Sequence, residues 1–255
     1  MPNVLLLEKR GRIFIVTVNR PERRNAFNLE VAEQIYAAFK QFDADETLDV
    51  AVLTGAGGNF CAGADLHALA AGEKRPFLPQ GDFAPMGCTR LKLSKPVIAA
   101  VEGYAVAGGI EVAIWCDMRV AAKSAVFGVF CRRFGVPLVD LGTIRLPRLI
   151  GASRAMDLIL TGRPVKADEA LTMGLANRVV EDGKALDAAI EIAEQLSAFP
   201  QICMRADRNS ALAQWDFDWD EATRQEMEGG LKAIDAEAIA GAARFSGGEG
   251  RHGKF

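Results

Sequence analysis

Val97-Ile98-Ala99-Ala100-Val101-Glu102-Gly103-Tyr104-Ala105-Val106-Ala107-Gly108-Gly109-Ile110-Glu111 is an apolar run that breaks into a glycine-rich turn and then into helix-compatible sequence. An earlier stretch follows the same plan. Val50-Ala51-Val52-Leu53-Thr54 leads into Gly58-Asn59-Phe60-Cys61-Ala62-Gly63-Ala64-Asp65-Leu66. A short apolar run bounded by glycine reads as a β-strand. Small residues at the end of such a strand let a ligand approach bare backbone N–H groups. Two turns of this kind can aim two N–H groups at one oxygen, which is the arrangement of an oxyanion hole.

Working outward, Val4–Leu7 and Ile13–Val18 are β-prone runs on either side of Lys9-Arg10-Gly11-Arg12, which predicts a hairpin. Asn28 is a good N-cap for a helix reaching about Phe42, with Ala32, Ile35, Phe39 and Phe42 on one face. A short helix is expected from about Asp65 and another around Gly109–Cys116, with strands at Met118–Ala121 and Ala125–Val129. Ala71–Met86 has no periodicity and reads as a mobile loop. Strands alternating with helices predict an α/β core with crossover connections. Beyond Gly142 the pattern turns helical: Ala152–Leu160, Ala167–Met173, Ala185–Ala198, then roughly Ile202–Gln214, Asp220–Leu231 and Asp235–Phe245. The expected organisation is an α/β core over 1–199 and a helical region over 200–255. The glycine-rich tail from Ser246 to Phe255 is expected to order only against something else.

The chain has 255 residues, half of them hydrophobic, and a formal charge of −3. A sizeable core is therefore accessible without disulfides or metal. The charge carries no footprint for nucleic acid or an anionic membrane. Cys61, Cys88, Cys116, Cys131 and Cys203 are scattered, with no Cys-x-x-Cys spacing, as expected in a reducing compartment. Met1-Pro2-Asn3-Val4 is not followed by the basic segment, apolar core and cleavage site of a secretory leader, so none is expected, and no apolar run approaches membrane-spanning length. The expectation is a cytoplasmic protein. Neither a metal-ligand spacing nor a Gly-x-Gly-x-x-Gly or P-loop signature is present, so no metal or nicotinamide role is expected.

Four segments, in order, resemble the enoyl-CoA hydratase/isomerase (crotonase) superfamily. They are Asn19-Arg20-Pro21 with Asn25-Ala26-Phe27-Asn28; Phe60 through Leu66; Lys95 through Ala105 and on from Gly108-Gly109-Ile110-Glu111 to Cys116-Asp117; and Arg145-Leu146-Pro147-Arg148-Leu149-Ile150-Gly151. The resemblance implies a spiral of ββα units, a C-terminal helical trimerisation region, and a homotrimer or dimer of trimers. It also implies a coenzyme A thioester as substrate, with no permanently bound cofactor. By matched position, the N–H groups of Ala64 and Gly108 would hold the thioester oxygen, where negative charge develops when an enolate forms. Glu111 matches a glutamate that handles a proton or the water in hydratase relatives, and a glutamate between Ile110 and Val112 is costly to bury without a task.

The chain departs from the family at one position. True hydratases carry a second glutamate four residues past a Phe-Gly that matches Phe127-Gly128, and that place is Cys131 here, followed by Arg132 and Arg133. The thiol is a poor substitute for a carboxylate; it is either an inert buried cysteine or, tuned by the arginines, a nucleophile. Asp140 is the candidate replacement, one place out of register with an aspartate of isomerising and hydrolysing relatives. It reads equally as a cap for the helix starting near Gly142. His67 is either near the acyl pocket or on a solvent-facing helix position. For the nucleotide end, Arg20, Arg23 and Arg24 suit phosphate pairing, and the backbone around Ala26 and Ala62, with Asp65 and Leu66, would adjoin the CoA moiety. The leading expectation is 2-enoyl-CoA hydration. Isomerisation, hydrolysis or decarboxylation of a CoA thioester with a single carboxylate stays open, as does an acyl-CoA-binding protein without turnover.

Overall fold

The computed structural model describes residues 3–249. These fall into two compact units that divide between Leu196 and Ser197.

The first unit is built on a six-stranded sheet. Strand β1 (Leu5–Arg10) pairs antiparallel with β2 (Ile13–Val18), and β2 is followed across the sheet by β3 (Val50–Gly55), β4 (Val97–Val101), β6 (Met118–Ala122) and β9 (Arg178–Val180), all parallel. The apolar runs are continuous because both faces are covered. Ile13, Ile15, Val50, Val52, Ile98, Ala100 and Val120 pack on the Ala185, Ala189, Ile190 and Ala193 face of the helix at Ala185–Ala198. The alternate residues Phe14, Val16, Ala51, Leu53, Ala99 and Val101 point the other way, into the main core with Ile35, Phe39 and Phe42 of α1 (Leu29–Ala44). Period-two alternation assigns each side chain to its layer. Asn28 caps α1 by accepting from Val31 N at 3.1 Å.

A second, smaller sheet supports the site. Strand β4 turns through Gly103 into β5 (Tyr104–Val106), which pairs parallel with β7 (Val126–Gly128); β8 (Val165–Lys166) joins β7 antiparallel. Gly103 has φ 51°, and a Cβ there would lie 2.4 Å from Gly58 O, so only glycine makes this corner. Parallel bridges Cys61↔Ala105 and Phe27↔Ala64 carry the same layer outward through both motif segments. The other α-helices that begin in this unit are α2 (Leu66–Ala70), α3 (Gly108–Trp115), α4 (Gly142–Ile150), α5 (Ala152–Thr161), α6 (Ala167–Thr172) and α7 (Ala185–Ala198).

Several elements differ from expectation. Strand β1 runs through Lys9 and Arg10, so the hairpin turn is Gly11-Arg12 alone. Strands β5, β8 and β9 are two or three residues long, too short for periodicity to reveal. In the second unit, α8 (Gln201–Ala213) pairs with α9 (Trp219–Ala233). Helix α9 continues through a π turn at Ile234–Ala238 into α10 (Ile239–Ser246), so the two expected terminal helices are joined. Most of the tail singled out in the sequence, from 250 onward, lies outside the described residues.

Candidate functional site

A cavity of about 200 Å³ opens where the two glycine-rich turns meet, bounded by Ala62, Ala64, Gly108, Glu111, Cys131 and Asp140. The bridge with Phe27 explains how Ala64 is presented. Phe27 N donates to Gly63 O and Phe27 O accepts from Asp65 N, both at 2.8 Å. In a parallel bridge the residue between those two points its own N–H the other way. Accordingly Ala64 N finds no acceptor among the described residues, and neither does Gly108 N. The turns touch: a Cβ built on Gly63 would lie 2.9 Å from Gly108 N. Ala107, just before Gly108, is held at φ 55° and ψ −126°, a conformation that costs an alanine about 1–3 kcal/mol. Its N–H donates to Gly128 O at 2.8 Å, which holds the strained residue in the small sheet and starts α3 at Gly108.

Glu111 lies on α3, 2% exposed. Its Oε1 accepts from Asp140 N (2.9 Å) and Gly142 N (2.8 Å), so this carboxylate binds the amides at the start of α4. Oε2 accepts no hydrogen bond from the described residues. Burial, and then the neighbouring Asp140, push the Glu111 carboxyl up to about 8, against the pull of the two amides and of Arg145. It can thus hold or release a proton near neutrality.

Asp140 is equally buried. It does not cap α4, whose N-cap is Leu141 and whose first amides go to Glu111. Instead its Oδ1 accepts from Met86 N (2.8 Å) and Thr89 Oγ1 (2.6 Å), across 54 and 51 residues of chain. Burial raises its proton affinity while Thr89, Met86, Arg90 and Arg75 oppose the rise. The cavity therefore has two buried carboxyls, each with one oxygen tied to the fold.

Cys131 also lines the cavity, but its thiol is pushed up by burial and by Glu111. The flanking arginines do not tune it into a nucleophile. Arg132 Nε donates to Ile159 O, and Arg133 donates to Gly162 O while stacking on Phe130. The thiol is held protonated.

At the other turn, Arg20 is not available to a phosphate. Its Nη2 pairs with Asp65 Oδ2 at 2.9 Å and its Nη1 donates to Ala26 O. Asp65 is spent on Arg20 and on capping α2, accepting from His67 N and Ala68 N, so only its backbone remains for a ligand. Arg23 and Arg24 are exposed and form no ion pair among the described residues, and Arg24 stacks on Tyr104. Ala62 N donates to Arg24 O, which joins the two segments near Ala26. Leu66 lines the cavity, whereas His67 is exposed and does not.

Several residues that line or brace the cavity have no signal in the sequence. Met86 and Thr89, which hold Asp140, sit in and just past a stretch without periodicity. Phe77, Phe130, Phe134, Val136 and Val139 give the cavity its apolar walls, and Arg75 joins them as its one cationic lining residue among those described. Among the described residues no group of three or more His, Cys, Asp or Glu could hold a metal ion. No helix of the described residues is long and apolar enough to cross a membrane.

The pattern of the enoyl-CoA hydratase/isomerase family matches residues 8–238. Enoyl-CoA hydratase EchA19 of Mycobacterium tuberculosis is 41% identical over 205 residues, covering 79% of this chain and 77% of that protein. The short-chain-enoyl-CoA hydratase of Clostridium acetobutylicum is 36% identical over 238 residues, 89% of this chain and 87% of its own length. The crystal structure of an enoyl-CoA hydratase from M. tuberculosis H37Rv superposes with a TM-score of 0.89 at 39% identity, covering 95% of each chain.

Proposed function

The chain belongs to the enoyl-CoA hydratase/isomerase family, and from that premise we propose that it adds water to, or removes it from, a 2-enoyl-CoA thioester. Ala64 N–H and Gly108 N–H take the thioester oxygen as it gains enolate charge, each worth roughly 3–4 kcal/mol. Glu111 and Asp140 act as the acid/base pair. One carboxyl directs the water to the β-carbon of the enoyl group while the α-carbon receives a proton. Asp140 thereby stands in for the carboxylate missing at Cys131. Arg23, Arg24 and the backbone of Ala26, Ala62, Asp65 and Leu66 face the CoA moiety.

The observation that carries this reading is the pair of adjoining amides without acceptors, set in one cavity with two buried carboxyls. A bare acyl-CoA binder has no use for a buried carboxyl with its proton affinity raised to about 8. Double-bond migration is the second reading, favoured by Cys131 because the usual second glutamate is absent. Both are tested by giving the purified protein crotonyl-CoA and longer 2-enoyl- and 3-enoyl-CoA thioesters and following the products by mass spectrometry. Hydration is expected, and Asp140→Asn should slow it at least ~100-fold. CoA binding without water addition refutes hydration, and conversion of the 3-enoyl thioesters alone replaces it with isomerisation.

For assembly we read the second unit as the oligomerisation region of a homotrimer or dimer of trimers. Trp219 and Ile239 on its helices are more than four-fifths exposed in the isolated chain, which favours burial by another copy. Sedimentation velocity tests it, and a monomer refutes it.

A further inference from the structure

Arg75 has no assigned task in the reaction above. It lies in the Ala71–Met86 stretch, and its side chain is 4% exposed, yet it lines the same cavity as Phe77 and Ala64. Its Nε donates to Glu73 Oε1 at 2.9 Å, and Glu73 Oε2 in turn accepts from Leu29 N at the start of α1. Its Nη2 donates to Phe27 O, the carbonyl that also receives Asp65 N. These bonds fasten the guanidinium to the framework that presents Ala64. They leave Nη1 without an acceptor among the described residues. A guanidinium whose side chain is 4% exposed, with one donor atom unused in a cavity lined mainly by apolar side chains, is placed to meet a polar group of whatever enters.

We propose that Arg75 is a specificity residue that donates a hydrogen bond from Nη1 to a neutral oxygen, carbonyl or hydroxyl, carried by the acyl chain of the substrate. This rests on the acyl-CoA reading. The oxygen is neutral rather than anionic because Glu73 already balances the guanidinium, and because Asp140 lies near enough for its charge to feel Arg75. A second carboxylate would meet Asp140 across the cavity. The oxygen belongs to the acyl chain rather than to the nucleotide because Arg75 lines the same cavity as Phe77, Phe134 and Asp140, and Arg23 and Arg24 do not line it.

The test compares six- and eight-carbon 2-enoyl-CoA thioesters in three forms: plain, with a keto oxygen on the penultimate carbon, and ending in a carboxylate. The native protein should favour the keto form over the plain form about tenfold in kcat/KM, equivalent to ~1.4 kcal/mol. Arg75→Met should bring that ratio to about one, whatever it does to absolute rates. Arg75→Lys should keep part of it. The ratio is the readout because loss of the Glu73 and Phe27 contacts alone would slow all three substrates alike. A native ratio near one, an unchanged ratio in Arg75→Met, or preference for the carboxylate form overturns the proposal. Calorimetric Kd values for the corresponding saturated thioesters give the same comparison without turnover. Failure of the hydration reading is thereby separated from failure of this one.

Discussion

Glu111→Gln makes an isosteric change at the centre of the site, and two of its consequences have opposite signs. The amide oxygen of glutamine can go on accepting from Asp140 N and Gly142 N, so the start of α4 stays in place. What disappears is the titrating group. If Glu111 transfers the proton, kcat should fall by a factor of at least ~10². Stability should change the other way. The Glu111 carboxyl is raised from 4.5 to about 8, so the folded state holds its proton more tightly than the unfolded chain does. Its favourable contribution is complete below the unfolded value and is lost as pH rises through the folded one. The full interval corresponds to about 5 kcal/mol. Glutamine avoids the loss. Urea denaturation of both proteins between pH 4 and pH 9 should therefore show the variant gaining on the native protein as pH rises, with a plateau above about 8. Turnover within threefold of native refutes the acid/base role. A stability difference that does not vary with pH refutes the raised proton affinity and with it the electrostatic reasoning.

Two further substitutions test the supports of the site. Gly63→Ala places a methyl 2.9 Å from Gly108 N and 2.7 Å from Ala107 Cβ on a residue at φ 96°, so it should cost roughly 2–4 kcal/mol and separate the two amides. Thermal denaturation with steady-state kinetics checks it; native kcat in a stably folded Gly63→Ala would mean the spacing of the turns does not matter. Cys131→Ala removes a protonated thiol and should leave kcat within about threefold (~0.6 kcal/mol). An inactive Cys131→Ala beside an active Asp140→Asn would transfer the second role from Asp140 to Cys131.

Local rules were sufficient for much of this protein. The strings Val50–Leu53 and Val97–Val101 are apolar without a break because both faces of the sheet are covered, and that pattern survives in one dimension. The Asn28 cap and the amphipathic face of α1 follow from spacings of three and four residues. The glycine-rich segments announced two turns with exposed amides, and the family resemblance pointed to Ala64, Gly108 and Glu111. The bonds that shape the candidate site are of another kind. Glu111 meets amides 29 and 31 residues further on, and Asp140 reaches back 51 and 54 residues to Thr89 and Met86. No periodicity records such pairings, because they arise from crossovers that bring α3, α4 and the irregular stretch before Thr89 to one cavity. For the same reason Asp140 read equally as a replacement carboxylate and as a helix cap, Arg20 looked free to bind phosphate and Arg75 drew no notice. A side chain's partner depends on what the folded backbone brings within three ångströms of it, and only the assembled layers decide that.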